Sequence, residues 1–296
     1  MASVSIATVA VNVLLLGALY ALVAIGFTLI FGVGGVLNLA HGASITIGAY
    51  TAYYTVQLGS QLGLGSGIGI YVGAVAALVL SALFNLALYK YLIKPVGDNP
   101  VAVLILTLVM SLVVEQVFLA VAGAQEVTIP GFVTGQVPIL GGIQANRVLG
   151  FVLSWVLIGL LFYFVNRTKQ GQAILATSMS KKGSALVGID PDRTYTYTWL
   201  IAGALAGVAG LFIGSFQSVQ PLMGRSPLLL SFSIVVLGGL GSIRGSVIGA
   251  YFISLLDQLT IFYVSERLAG LAGLVVLVVV LLVRPKGLFG RELAEG

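Results

Sequence analysis

The stretch IATVAVNVLLLGALYALVAIGFTLIF, residues 6–31, decides the class of this protein. It carries no charged side chain, and neither does any other part of residues 1–89. A helix needs about 20 apolar residues to cross the hydrocarbon core of a membrane. We therefore predict spanning helices near residues 6–31, 37–56 and 68–89. No basic residue precedes the first of them and it is too long for a signal peptide, so we expect it to be retained.

The composition of the whole chain agrees with a membrane protein. Hydrophobic residues make up 59% of the 296 residues, and the mean hydropathy is +1.12, far outside the range of soluble domains. The chain has no cysteine and one histidine, so we predict no metal site. The net charge of +5 comes from basic residues that cluster between apolar runs. Membrane topology explains this pattern better than nucleic-acid binding does.

Further spans are predicted at residues 101–122, 148–165, 194–216 and 268–283. Lys90 and Lys94 are expected to end the third helix, before a turn at 95–100 that includes Asp98, and residues 123–146 are predicted to form a loop. Residues 228–263 are too long for one crossing, and we predict two shorter spans around the sequence GGLGSIRG. The expected fold is an all-α, polytopic bundle of about 8–10 spans in a single domain, residues 1–296.

Glycines repeat along the predicted span at 194–216. Gly203, Gly207, Gly210 and Gly214 form two small-xxx-small pairs, which let helix backbones approach closely in lipid. We therefore predict that this helix lies in the interior of the bundle.

The longest polar stretch is NRTKQGQAILATSMSKKGSALVGIDPDR, residues 166–193. It holds five basic and two acidic side chains in a chain of which only 8% is charged. Residues 171–186 lack proline and have a loosely spaced face of small side chains, which predicts a short helix. Two readings remain open: a solvated connecting loop, or an element on which another protein docks.

The basic residues also predict an orientation. If residues 166–193 are cytoplasmic and each span crosses once, eleven of the 14 basic residues, including Lys286 and Arg291, lie inside. Arg147, Arg225 and Arg267 then lie outside. This positive-inside bias predicts an external N-terminus, about nine crossings and a cytoplasmic C-terminus.

No pattern of catalytic residues is present in the sequence. The motifs HExxH and GxSxG are absent, and one histidine cannot supply a catalytic pair. GxxxxGK[ST] is also absent, so we expect no ATP site, and GGLGS lacks the lysine of a phosphate loop. A glycine-rich break in a membrane helix more often lets the backbone line a cavity. An intramembrane hydrolase therefore has little support, and we predict that this chain has no catalytic residues and is not an enzyme.

Residues 17–50, GALYALVAIGFTLIFGVGGVLNLAHGASITIGAY, resemble the N-terminal signature of the H-type permease subunits of branched-chain amino acid ABC importers. Five later segments continue the resemblance in the same order. They are Gly188-Ile189-Asp190, LAGVAGLFIG at 205–214, QPLMG at 220–224, LGGLGSIRGSVIGAY at 237–251 and RPKGLFGR at 284–291.

This resemblance implies a multi-pass permease in a cell membrane that imports branched-chain or other hydrophobic amino acids. The implied partners are a second permease in a hetero- or homodimer, two ATPase subunits that use ATP, and an extracytoplasmic solute-binding protein. Residues 166–193 would be the cytoplasmic coupling segment, although Leu175 stands where the family usually has arginine, and Gly183 and Ser184 replace an alanine-rich stretch. The implied coupling residues are Gly171, Ala173, Ala176, Ser180, Gly188 and Ile189.

Several polar or glycine residues within the apolar runs are candidates for the translocation path: Asn38, His41, Glu115, Gly238, Gly239, Gly241 and Ser242. Glu115 lies within a predicted span, where an ionisable group is costly unless it is paired or wet. It either lines the path or pairs with a Ser, Thr or Arg of a neighbouring helix. Asn38 and His41 either line the path or have a structural role, in which they cap a helix and set the entry angle of the second span.

Other functions remain open at this level. The same family architecture serves urea and short amides. A passive channel or a secondary carrier is a further alternative, although a secondary carrier would be expected to show ionisable residues in several helices, and only Glu115 is clearly of this kind.

Overall fold

The computed structural model describes residues 6–63, 65–97, 99–138, 142–284 and 287–289. Three residues named above lie outside these ranges: Asp98 of the predicted turn, and the basic residues Lys286 and Arg291.

Eleven α-helices are found in the described residues: α1 (Ile6–Gly34), α2 (His41–Gln61), α3 (Gly65–Ala87), α4 (Pro100–Ala122), α5 (Ala145–Arg167), α6 (Lys169–Met179), α7 (Lys181–Leu186), α8 (Pro191–Phe216), α9 (Arg225–Gly238), α10 (Ile243–Tyr263) and α11 (Leu271–Val283). Two strands of two residues, β1 (Gln136–Val137) and β2 (Ile143–Gln144), pair antiparallel in the connection between α4 and α5.

Seven of the described helices are long and apolar enough to cross a membrane: α1, α3 with its continuation to Val96, α4, α5, α8, α10 and α11 with the turn before it. Two further helices complete the bundle. α9 is apolar but has only 14 residues, and α2 has 21 residues and is less apolar. The prediction of an all-α, polytopic bundle is confirmed, including the break of the 228–263 region into two helices.

The core is built around α1 and α8. In the most apolar 18-residue stretch of each helix, 78% of the residues of α1 and 72% of those of α8 are buried. Only 6% are buried in the corresponding stretch of α11 and the turn before it. Gly207 of α8 lies against the backbone of Ala77 in α3, and Gly210 lies against the carbonyl of Ile45 in α2. A methyl group at either glycine would collide with the neighbouring backbone. The prediction that this glycine-rich helix is interior is therefore confirmed.

The sequence predicted that the third spanning helix ends at Lys90 and Lys94, but the structure continues it past both lysines. It continues as a π-helix, Leu88–Ile93, and a 3-10 turn, Lys94–Val96. The Lys94 ammonium lies 2.8 Å from the Asp192 carboxylate at the start of α8, and the Tyr89 hydroxyl donates to the same carboxylate at 2.8 Å. These contacts hold the helix end against α8.

The polar segment forms two helices instead of the single predicted one. Ser180 adopts an extended conformation between α6 and α7, with φ −159° and ψ 114°. Its hydroxyl accepts the Gly183 backbone N–H at 3.0 Å and so caps α7. Serine favours such N-cap positions over helix interiors because its side chain can replace a missing backbone acceptor.

The residues between α4 and α5 that the structure describes form mostly loop, as predicted. Val127 pairs with Val219, in the connection between α8 and α9. The Asn146 side chain accepts the backbone N–H of Phe132 at 3.0 Å and donates to Ser215 at 3.1 Å. These bonds fasten the loop to the end of α8.

Candidate functional site

Two helices, α2 and α9, begin inside the bundle and not at one of its ends. Gly42, in the first turn of α2, lies against the backbone of Gly224, the residue before α9. His41, the first residue of α2, packs on Gly26 of α1, which also faces the carbonyl of Ala202. At 1.5 Å per residue, Ala202 lies about 16 Å along α8. A hydrocarbon core is about 30 Å thick, so α2 and α9 begin near mid-depth. We call this meeting point the central junction.

Asn38 and His41 are buried at the central junction, with 1% and 0% of their surfaces exposed. The Asn38 side-chain oxygen accepts the Ala40 backbone N–H at 3.0 Å, and the His41 Nε2 lies 3.0 Å from the carbonyl oxygen of Val23. Within the described residues, the Asn38 Nδ2 and the His41 Nδ1 have no partner. The predicted capping role is wrong, because α2 receives no side-chain cap. Asn38 instead closes the turn before the helix, so α2 begins at His41.

Glu115 is paired with Arg225, the first residue of α9. The Arg225 Nε donates to one carboxylate oxygen at 2.9 Å, and Nη2 donates to the other at 2.6 Å. The Glu115 side chain is 6% exposed and that of Arg225 is 56% exposed. Bidentate pairs of this kind are strong and directional. Of the two readings of Glu115, the structure therefore shows the partner arginine, and it fastens α4 to the central junction.

Residues 238–242 join α9 to α10 in a tight backbone path. Gly239 and Gly241 have φ of 97° and 82°, conformations that favour glycine. Ser242 caps α10 by accepting a backbone N–H at 3.1 Å. Gly32, near the end of α1, packs close to the Gly241 backbone.

The chain beyond α11 returns to this same break. The Leu288 backbone N–H donates to the Leu237 carbonyl at 2.8 Å, and that of Phe289 donates to the Gly238 carbonyl at 3.2 Å. These bonds supply donors to carbonyls that would otherwise have no hydrogen-bond partner at the end of α9. They also place residues 287–289 at the same end of the bundle as residues 238–242.

The residues predicted to line a path thus fall into two groups. Asn38 and His41 lie at the central junction, and Glu115 joins it through Arg225. The glycines and serine of residues 238–242 lie at the other end of α9, whose 14 residues extend about 21 Å. The structure does not bring the two groups together.

The predicted coupling residues differ in their accessibility. Gly171 is buried where α6 crosses the end of α5, and an added Cβ would collide with the Phe164 carbonyl and with Val165. It is a packing residue and not a surface one. Ser180 and Gly188 are exposed, while Ala173, Ala176 and Ile189 are half-buried.

Sequence reasoning missed the most exposed apolar side chains of this segment. Leu175, Met179, Leu186 and Val187 are 37%, 62%, 87% and 77% exposed. Leu175 and Met179 are one helical turn apart, so they share a face of α6. Apolar residues inside an otherwise polar segment were the available signal. We call these four residues the apolar patch of the 166–193 segment.

The family of this chain is found by comparison with known proteins. The model of a family described as the permease component of the branched-chain amino acid transport system matches residues 9–284. The chain belongs to this family. This permease is 30% identical to the high-affinity branched-chain amino acid transport system permease protein BraD of Pseudomonas aeruginosa over 96% of both chains. It is 28% identical to the corresponding permease protein LivH of Escherichia coli K12, over 96% of this chain and 95% of that one.

A solved structure has a related fold. The permease matches a chain of PsaBC from Streptococcus pneumoniae, determined in complex with Fab, with a TM-score of 0.50 and 16% identity. The match covers 94% of this chain and 92% of the other. At this identity the likeness extends to the fold alone. Family membership confirms that the permease is a multi-pass membrane protein and a transport subunit of a larger complex, and not an enzyme.

Proposed function

We propose that this permease is the membrane subunit of an ATP-driven importer of branched-chain amino acids. It resides in the cell membrane with its C-terminus in the cytoplasm. Residues 166–193 dock on one of the two ATPase subunits of the complex, a second permease completes the path, and an extracytoplasmic binding protein delivers the solute. The relatives' names support the solute class, and the apolar patch is the single structural observation that carries the role of the ATPases.

The apolar patch has the properties of a docking surface. Leu186 and Val187 are 87% and 77% exposed and follow Lys181 and Lys182 closely in the sequence, in a segment too polar to be covered by lipid. Clustered apolar side chains exposed to water commonly mark protein contacts. α6 is fixed to α5 by the buried Gly171, so force applied to the patch reaches the bundle through a close backbone contact.

The central junction supports a path along the surface that a second permease would cover. Arg225 begins α9 near mid-depth, yet its side chain is 56% exposed. A charged group facing lipid at this depth is costly, so its free side is expected to face water or another subunit. Glu115 neutralises the charge without removing the polar surface. A neutral pair suits a path that must release a zwitterion easily.

Replacement of Leu186 by Asp tests the docking role. We expect the variant to lose most of its copurification with the ATPase subunits and most of its leucine uptake, because a charge replaces an apolar contact. Pull-down of the full complex and uptake of radiolabelled leucine by a deletion strain measure the two effects. Leu62→Asp is the matched control, since Leu62 is 66% exposed at the end of α2. The proposal fails if Leu186→Asp and Leu62→Asp both retain the ATPases and the uptake.

A further inference from the structure

A small cavity lies between α1, the end of α8 and the connection from α8 to α9. Its volume is about 170 Å³. A cavity of about 150 Å³ in another protein accommodates benzene, so this one has room for a small aliphatic solute. It lies in the half of the bundle that holds the start of α1 and the end of α8, away from the 166–193 segment.

The lining of the cavity is divided between apolar and polar groups. Leu19, Ile213 and Leu230 are buried apolar members of the lining. The polar members, Tyr20 apart, are Gln217, Ser218, Gln220 and Ser226. Within the described residues, none of these four side chains forms a hydrogen bond. They therefore remain available for a solute.

A carboxylate lies directly behind one wall. Tyr20 lines the cavity, and its hydroxyl donates to the Asp257 Oδ2 at 3.1 Å. The Asp257 Oδ1 accepts the Gly270 backbone N–H at 2.6 Å. Asp257 is 3% exposed, so its carboxylate is buried although it lies near the end of α10.

No cation balances Asp257 among the residues that the structure describes. The ion pairs found there join Lys94 to Asp192 and Arg225 to Glu115. A buried carboxylate held by one hydroxyl and one backbone N–H retains an unbalanced charge, which is costly. A cationic group in the cavity would offset this charge across the Tyr20 hydroxyl.

We propose that this cavity is an internal binding site for a hydrophobic amino acid, with Asp257 and Tyr20 attracting its ammonium group. The inference rests on the proposed function and adds a solute-binding site on the transport path within one permease subunit. The Tyr20 oxygen accepts a hydrogen bond from the ammonium while the same hydroxyl still donates to Asp257. The free amides and hydroxyls of the lining donate to the solute carboxylate, and the leucines and isoleucine surround the side chain.

The site is tested by binding of radiolabelled leucine to the full-length permease in lipid nanodiscs, without ATP or binding protein. Asp257→Asn retains an acceptor for the Gly270 N–H but removes the charge, and we expect the Kd for leucine to rise by about tenfold or more. Ser226→Trp fills the cavity without altering Asp257, and we expect it to abolish binding. Tyr251→Phe is the control, since Tyr251 lies on the same helix as Asp257 but bonds to Trp155; its Kd should not change.

A second ligand separates charge attraction from a structural effect. 4-Methylpentanoate has the side chain and carboxylate of leucine but no ammonium, so its Kd should not rise in Asp257→Asn, which removes only a charge of the same sign. Absent leucine binding by the original protein, an unchanged Kd in both cavity variants, or an equal loss of both ligands in Asp257→Asn overturns the inference. ATP-driven uptake by the original complex is measured separately. If uptake is absent the proposed function fails, and if it persists unchanged in both cavity variants only the internal site fails.

Discussion

The ion pair between Glu115 and Arg225 joins α4 to the start of α9. Glu115 is almost fully buried, whereas more than half of the Arg225 side chain is exposed. The two charges therefore depend on each other unequally. An arginine released from the pair can be solvated, but a carboxylate released from it stays buried.

This inequality predicts different costs for removing each partner. Arg225→Met should lower the free energy of unfolding by about 3–5 kcal/mol, because it leaves a buried charge unpaired. Glu115→Gln should cost about 1 kcal/mol, because the amide oxygen still accepts from Arg225. Thermal or denaturant-induced unfolding of the purified variants in the same detergent measures the two costs. A larger loss for Glu115→Gln would show that the carboxylate is less buried than the structure describes.

At the scale of elements, the central junction depends on two glycines in direct contact. Gly42 and Gly224 lie backbone to backbone, and a Cβ at Gly224 would meet the Gly42 carbonyl carbon at 2.6 Å. The φ and ψ of Gly224 are −72° and −16°, which any residue adopts. Glycine is required there by space and not by backbone conformation.

Gly224→Ala should therefore separate α2 from α9. We expect it to lower the free energy of unfolding by about 1–3 kcal/mol, the usual cost of overpacking, and to reduce leucine uptake. Gly159→Ala is the control within α5, because an added Cβ there meets nothing within 4 Å. Alanine is the better helix former by about 1 kcal/mol, so this control should be neutral or stabilising. Equal destabilisation by the two substitutions would contradict a close junction.

The boundaries of helices were predictable where residues that are adjacent in the sequence interrupt a helix. The break at residues 238–242 is visible in its glycines, and the structure places positive φ at two of them. The division of the 166–193 segment at Ser180 was missed, although serine followed by the Lys181–Lys182 pair is a plausible helix start. The mid-depth start of α9 was not predictable, because its depth depends on Gly42, which is distant in the sequence.

For the whole molecule, the orientation is a prediction from the distribution of basic residues. The structure refines one of them, since Arg225 begins α9 near mid-depth rather than in an external loop. The residues around Met179 and around Leu62 lie at opposite ends of the bundle according to the predicted crossings. Both side chains are well exposed, at 62% and 66%, so both are suitable for labelling.

The absence of cysteine makes this orientation simple to test. In intact cells, a membrane-impermeant maleimide should label Leu62→Cys but not Met179→Cys. After the cells are opened, both variants should be labelled. Labelling of Met179→Cys in intact cells would place the 166–193 segment outside and would remove the basis for ATPase docking.

The sequence by itself determined the membrane class, the all-α fold, the positions of most spans and the family. Each of these depends on the local run of apolar residues, on glycine and polar interruptions, or on motifs that are contiguous in the chain. Only the tertiary structure decided that Glu115 pairs with Arg225, that Gly171 is buried, that α2 and α9 meet near mid-depth, and that Asp257 lies behind a cavity. These features join residues far apart in the sequence, and their partners are set by helix packing, which no local pattern of side chains specifies.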